Sequence, residues 1–203
     1  VKVSEGCNRP CAFCIIPQIR GSMRSRSIDS IVREIGALGA QGVREVNLVA
    51  QDLTAYGSDR GGEKLVDLLR AVDAAKAIQW LRLLYAYPVG VDVELLHAIR
   101  DLPVVCNYLD VPLQHSSEGD LKAMKRPRRD RIMLAQQKIR VARNSEYIGQ
   151  ELDVLVEGLH NETDLLLSAR ARFQAPEVDG NVLINDIAPH LSEISPGHVG
   201  RVA

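Results

Sequence analysis

Two kinds of hydrophobic spacing divide the chain. Residues 1–5 (VKVSE) alternate apolar and polar positions, the period of a strand. The stretch 28–40 (IDSIVREIGALGA) instead puts Ile28, Ile31, Ile35 and Leu38 on one helical face, with Ser27 placed to cap its start and Gly39 and Gly42 near its exit. The two periods then take turns: strand 43–51, helix 63–76, strand 80–87, helix 92–101, strand 108–114 and helix 118–125. Strand–helix units of about 30 residues predict a parallel α/β sheet, either open or closed into a barrel.

Past residue 145 the helical period stops. ELDVLVEG, TDLLLSARA and NVLIND are short alternating runs separated by Gly, Asn and Pro, which predict a small antiparallel barrel of about 60 residues. Between the two regions, 130–144 reads as a connecting helix whose Ile132, Ala135, Ile139 and Ala142 share one face. The predicted division is therefore 1–129, 130–144 and 145–203.

Parallel α/β folds place their ligands at the carboxyl ends of the strands. The segment GCNRPCAFC directly follows the first strand and sets Cys7, Cys11 and Cys14 within eight positions of a chain whose remaining cysteine is Cys106. Gln51 and Asp52 end strand two, Tyr85 and Tyr87 end strand three, and Gln114 and His115 end strand four. All are expected at one mouth.

Composition narrows the chemistry. With 46% hydrophobic and 25% charged residues the chain has a globular profile, no apolar run reaches the roughly 20 residues of a membrane span, and its first residues do not form a signal peptide. It reads as cytoplasmic. Three cysteines in one short segment are not the spread framework of a secreted disulfide protein, so metal or redox use is expected. The net charge of −1 conceals a segregation: residues 122–143 hold nine basic side chains against Asp130 alone, whereas 146–203 hold ten acidic ones against Arg170, Arg172 and Arg201. Different partners are implied for the two regions.

Thiolates at C-x3-C-x2-C can occupy three irons of one cubane four-iron four-sulfur cluster and leave the fourth iron open. A zinc site would need a fourth ligand such as Cys106 or His115 to close its tetrahedron.

Cys7, Cys11 and Cys14, with Phe13 before the last, resemble the radical S-adenosylmethionine (AdoMet) motif, in which the open iron binds the methionine amino and carboxylate groups of AdoMet. The longer strings SEGCNRPCAFCIIPQIRGSMRSR, AQDLTAYG, LYAYP, VPLQHSS and LKAMKRP resemble the methylthiotransferases, in particular the ribosomal-protein aspartate (RimO) type. Residues 145–203, with VLVEG, ETDLLL and FQAPEVDG, are similar to that family's C-terminal TRAM domain. The resemblance implies a TIM-like (β/α) barrel of the radical SAM type followed by an OB-like antiparallel barrel. It implies that reductive cleavage of AdoMet yields a 5′-deoxyadenosyl radical, which abstracts hydrogen from the β-carbon of an aspartate in small-subunit ribosomal protein twelve, where a methylthio group is installed. An external electron donor is required. The cofactor carries the difficult chemistry while the protein orients it and excludes water.

Other positions carry weaker signals. Phe13 suits packing beside the adenine or in a core, Gln51 and Gln114 suit hydrogen bonds to AdoMet or loop capping, and His115 suits a cofactor contact or a structural role. Arg9, Arg20, Arg24 and Arg26 surround the cysteine loop as solvated charge or as attraction for an anionic ligand. Cys106 reads as a core thiol. No residue is singled out as catalytic.

The sequence also departs from the family. Its members have an N-terminal domain whose three further cysteines hold a second four-iron cluster, the sulfur source, and this chain starts after it. Only four strand–helix units precede the tail where the family's barrel has six, and LKAMKRP runs almost directly into RRDRIMLAQQ, so about two units are missing between Arg126 and Ile132. Two alternatives stay open: a tRNA adenosine methylthiotransferase of the sister (MiaB) type, suggested by the TRAM-like tail and basic 122–143, and a non-catalytic nucleic-acid-binding protein with structural zinc. The acidic tail favours a basic ribosomal protein over tRNA.

Overall fold

The computed structural model describes residues 1–112, 118–125, 145–175, 180–185 and 196–202. The chain divides into two compact units, Val1–Leu134 and Ala135–Ala203.

In the first unit, the helix read at 28–40 forms as α2 (Ile28–Ala40), preceded by the short α1 (Ile16–Arg20). The Ser27 side chain accepts from the Ser30 N–H at the start of α2, and the helix buries Ile31 and Ile35. Helix α3 (Leu65–Ala75) starts where Asp67 accepts the Lys64 N–H at 2.9 Å. Helix α4 (Val93–Asp101) starts where Asp92 accepts the Leu95 N–H at 2.8 Å. Each satisfies an N–H that the first helical turn leaves without a backbone partner.

Strands β3 (Glu45–Leu48) and β4 (Trp80–Leu83) pair in parallel, Val46 opposite Leu81 and Leu48 opposite Leu83. Parallel bridges extend the sheet on both sides, Lys2 with Val49 and Leu81 with Val105. Four parallel segments thus lie side by side in chain order. One face is apolar: Val3, Val46, Leu48, Leu81, Leu83 and Val105 pack with Ile31, Ile35, Leu68, Leu69 and Leu95 into a single core. Each such side chain contributes about 1.5–3 kcal/mol on burial. The other face carries Trp80 together with polar groups. There Arg82, fully buried, donates from Nε to Glu45 Oε1 at 2.8 Å and lies over the Tyr108 ring at 5.0 Å.

Two expectations change. The strand read at 108–114 is not formed by its described part: the chain joins the sheet earlier, with the Leu81 N–H on Val104 O at 2.8 Å and the Cys106 N–H on Leu81 O at 2.9 Å. The alternation of YLDVP resembled a strand, but the Tyr108 N–H turns back to Cys106 O at 2.7 Å and the truly buried run is Val104–Cys106. Strands 43–51 and 80–87 shorten to four residues each because their last positions turn away as loops. A feature not anticipated is the antiparallel pair of β1 (Ser4–Glu5) with β2 (Arg24–Ser25), which closes the base of the cysteine loop. Helix α5 (Glu118–Ala123) occupies the stretch read as 118–125. The connecting helix 130–144 and the junction Arg126–Ile132 lie outside the described residues.

In the second unit, β5 (Leu152–His160), β6 (Thr163–Ala171), β7 (Val182–Ile184) and β8 (Val199–Val202) form an antiparallel sheet in the order β7-β6-β5-β8. Val154, Val156, Ala169 and Ala171 make its core, flanked by Phe173, whose ring stacks on Tyr147 at 4.5 Å. The register shifts between Val156 and Gly158, and Gly158 has φ 138°, a conformation that glycine adopts without strain. The alternation read from the sequence is realised as this sheet; among the described residues no pairing joins β7 to β8 to close it as a barrel.

Candidate functional site

The cysteine loop leaves β1 through Gly6 at φ 79°, where a Cβ would lie 2.3 Å from the Ser22 carbonyl oxygen. Only glycine passes there. The loop is then tied down at several points: the Cys7 N–H donates to Gly21 O at 3.2 Å, Asn8 Oδ1 accepts the Met23 N–H at 3.0 Å, and the Cys14 N–H closes a turn on Cys11 O at 3.2 Å.

Arg9, midway between the first two thiols, is fixed by side chain and backbone alike. Its Nε donates to Asp52 Oδ2 at 2.5 Å, its guanidinium carbon lies 4.3 Å from the centre of the Tyr87 ring, and its N–H points at Cys7 Sγ at 3.4 Å. Asp52 is buried, and its other oxygen accepts the Thr54 N–H at 3.1 Å and the Thr54 hydroxyl at 2.7 Å. A carboxylate in the loop that follows β3 therefore holds the cysteine loop from outside. Burial pushes the Cys7 thiol pKa up, and the Arg9 N–H pulls it partly back.

All three clustered thiols line one cavity of about 320 Å³, together with Gln51, Asp52, Tyr85 and Tyr87 and the apolar Ile16, Val49 and Ala50. This volume suits a small-molecule ligand. Among the described residues no three His, Cys, Asp or Glu side chains converge on a single ion. A cubane asks for no such convergence, since it takes each thiolate on a different iron, and three thiols spread around one cavity fit it.

The other residues named from the sequence fall as follows. Gln51 lines the cavity and is exposed. Phe13 is half exposed and is not among the lining residues. Gln114 and His115 lie outside the described residues. Arg20 pairs with Glu5 at 3.4 Å, Arg26 pairs with Glu34 at 2.6 Å, and Arg24 reaches backbone carbonyls of Ser22 and Arg20, so these three serve the loop's surroundings rather than its cavity. Cys106 is fully buried. The Arg9–Asp52 pair had no sequence signal, because the partners are 43 positions apart.

A profile described as the Radical SAM superfamily matches residues 1–148, and one described as the TRAM domain matches 148–203. The chain belongs to the radical SAM superfamily. The resemblance to the methylthiotransferases, drawn from the longer strings around and beyond the cysteines, is borne out by relatives named ribosomal protein uS12 methylthiotransferase RimO. The one from Koribacter versatilis (strain Ellin345) is 34% identical over 282 residues, covering 99% of this chain and 56% of the relative. The one from Anaeromyxobacter sp. (strain K) is 37% identical over 275 residues, covering 96% of this chain and 59% of the relative. The radical SAM chain thus spans somewhat under two thirds of the length of the curated relatives it matches. Both alignments are longer than its 203 residues, so the relatives carry interior residues with no counterpart here. Among solved structures, the radical S-adenosylmethionine methyltransferase TsrM from Kitasatospora setae, with cobalamin and a [4Fe-4S] cluster bound, aligns at a TM-score of 0.51 and 20% identity, covering 62% of this chain and 24% of that one. It is a likeness of fold. No helix among the described residues is long and apolar enough to cross a membrane.

Proposed function

We propose that this chain is the radical AdoMet core and TRAM portion of a methylthiotransferase of the RimO type, acting on the β-carbon of an aspartate in ribosomal protein uS12. The observation that carries the reading is the gathering of Cys7, Cys11 and Cys14 around one small-molecule-sized cavity at the carboxyl ends of parallel strands. The names of the curated relatives support the substrate.

On this reading Cys7, Cys11 and Cys14 hold a [4Fe-4S] cluster, and the parallel segments belong to a TIM-like barrel. When bound, the cluster supplies the electron that cleaves AdoMet. The chain's own residues do the rest. Asp52 and Arg9 hold the loop so that the thiols need not be ordered at the moment of loading, which spares the entropy of fixing about five residues. The Arg9 N–H donates to Cys7 Sγ and stabilises its thiolate form. Ile16, Val49 and Ala50 give the cavity an apolar wall that excludes water, and Gln51 offers an amide to a polar ligand. Phe13, Gln114 and His115 remain proposed AdoMet contacts by family resemblance, as does a second four-iron cluster that provides sulfur in the whole protein. The unit carrying residues 145–203 is the proposed docking site for the basic ribosomal protein.

Mass spectrometry of uS12 and of tRNA from cells lacking this protein tests the reading. Loss of the methylthio group from a uS12 aspartate is expected; intact uS12 with loss of methylthio from tRNA adenosines moves the assignment to the MiaB type.

A further inference from the structure

Three non-glycine residues among those described have positive φ: Lys76, Tyr85 and Lys125. Lys76 and Lys125 follow the last turns of α3 and α5, where a left-handed residue commonly ends a helix. Tyr85 has no such excuse. It follows β4 with φ 63°, a conformation that costs a bulky side chain about 1–2 kcal/mol and persists only where the surroundings enforce it.

The surroundings do enforce it, from both sides of the residue. The Tyr85 N–H donates to Asp110 Oδ2 at 3.0 Å, its carbonyl accepts the Leu53 N–H at 3.0 Å, and the next N–H, of Ala86, donates to Asp110 O at 2.8 Å. These bonds hold the backbone, not the ring. Tyr85 is half exposed and lines the thiol cavity. The cavity's other aromatic, Tyr87, is buried and engaged by Arg9. Tyr85 is thus the more accessible of the two aromatic residues that line the cavity, and its strained backbone fixes the point from which its side chain leaves.

We infer that Tyr85 is a ligand-contacting residue of this cavity, held in a left-handed conformation by Asp110 and Leu53 so that its ring packs on the purine of AdoMet. The inference rests on the radical AdoMet reading above. A flat purine is the part of AdoMet that an aromatic face recognises, and stacking of a base on an aromatic ring is tolerant of polar substituents at its edge.

The test compares Tyr85→Gly, Tyr85→Ala and Tyr85→Phe in the full chain, by AdoMet affinity of the anaerobically reconstituted protein and by thermal unfolding of the cluster-free protein. Glycine relieves the strain and alanine does not, while both remove the ring. The expected result is AdoMet affinity reduced about tenfold or more in the Gly and Ala variants and kept within about threefold in Tyr85→Phe. Tyr85→Gly is expected to unfold at a higher temperature than Tyr85→Ala. Undiminished affinity in Tyr85→Gly overturns the ligand contact, as does a variant that keeps AdoMet but loses affinity for a uS12 peptide, which would assign the ring to that substrate. Equal unfolding temperatures for Gly and Ala overturn the strain. If the wild-type protein takes up no cluster and binds no AdoMet, the underlying reading fails with it; wild-type binding that the variants share defeats the inference alone.

Discussion

Arg9 on the cysteine loop donates from Nε to Asp52 Oδ2 at 2.5 Å, joining it to the loop that follows parallel strand β3 at the thiol cavity. Asp52 is nearly inaccessible while Arg9 remains partly exposed. Removing the carboxylate therefore leaves a cation that can turn toward solvent, and the cost falls below that of breaking a fully buried pair. Asp52→Asn is expected to lower the unfolding free energy by about 1–3 kcal/mol and to reduce iron uptake by the reconstituted protein. Denaturant titration and iron analysis check the two effects; unchanged iron uptake would separate the pair from the loop.

The four cysteines are expected to divide three to one. Alanine at Cys7, Cys11 or Cys14 abolishes stable iron incorporation, because each thiolate is the sole protein ligand of its iron. Cys106→Ala leaves iron content intact and costs about 1 kcal/mol, the scale of a small buried deletion. Iron and acid-labile sulfide in anaerobic preparations of the four variants decide this.

Tyr56 supplies a pH dependence of stability. Its hydroxyl donates to Arg26 O at 2.7 Å, and burial pushes its pKa from 10.0 up to about 12. A folded-state pKa above the unfolded one favours the folded protein wherever the phenol stays protonated. Stability is thus fully present below pH 10 and falls as pH rises from about 10 to about 12. Tyr56→Phe should flatten that segment of the stability profile. Chemical denaturation across this range measures the slope.

Much of the first unit was legible because its helices bury one apolar stripe each. Ser27, the Ile31–Ile35 pair and the glycines beyond Leu38 bounded α2 to the residue, and α3 and α4 fell within two residues of their predicted limits. Strand ends were less legible. Residues 108–112 alternate like a strand, yet Asp110 spends its carboxylate and carbonyl on Tyr85 and Ala86, an arrangement set by contacts about 25 positions apart that no local period encodes. The thiols could be read from spacing alone. The Arg9–Asp52 latch and the strain at Tyr85 could not, since each depends on where distant loops meet.

The acidic second region predicts a salt-dependent partner. With ten acidic side chains against three arginines over 146–203, the full chain should bind uS12 more weakly as salt rises and should bind tRNA no better through this region than an acidic control protein does. Titration with each partner at two salt concentrations checks it; preferential tRNA binding retained after neutralising Lys and Arg within 122–143 contradicts it.

Cys7, Cys11 and Cys14 are proposed to carry a cluster able to cleave AdoMet. Incubating the anaerobically reconstituted, chemically reduced chain with AdoMet and quantifying 5′-deoxyadenosine tests this most directly. The wild-type chain is expected to yield 5′-deoxyadenosine and methionine, and Cys11→Ala neither. Full cleavage by Cys11→Ala, or no cleavage by a wild-type chain that holds stoichiometric zinc in place of iron, would contradict it.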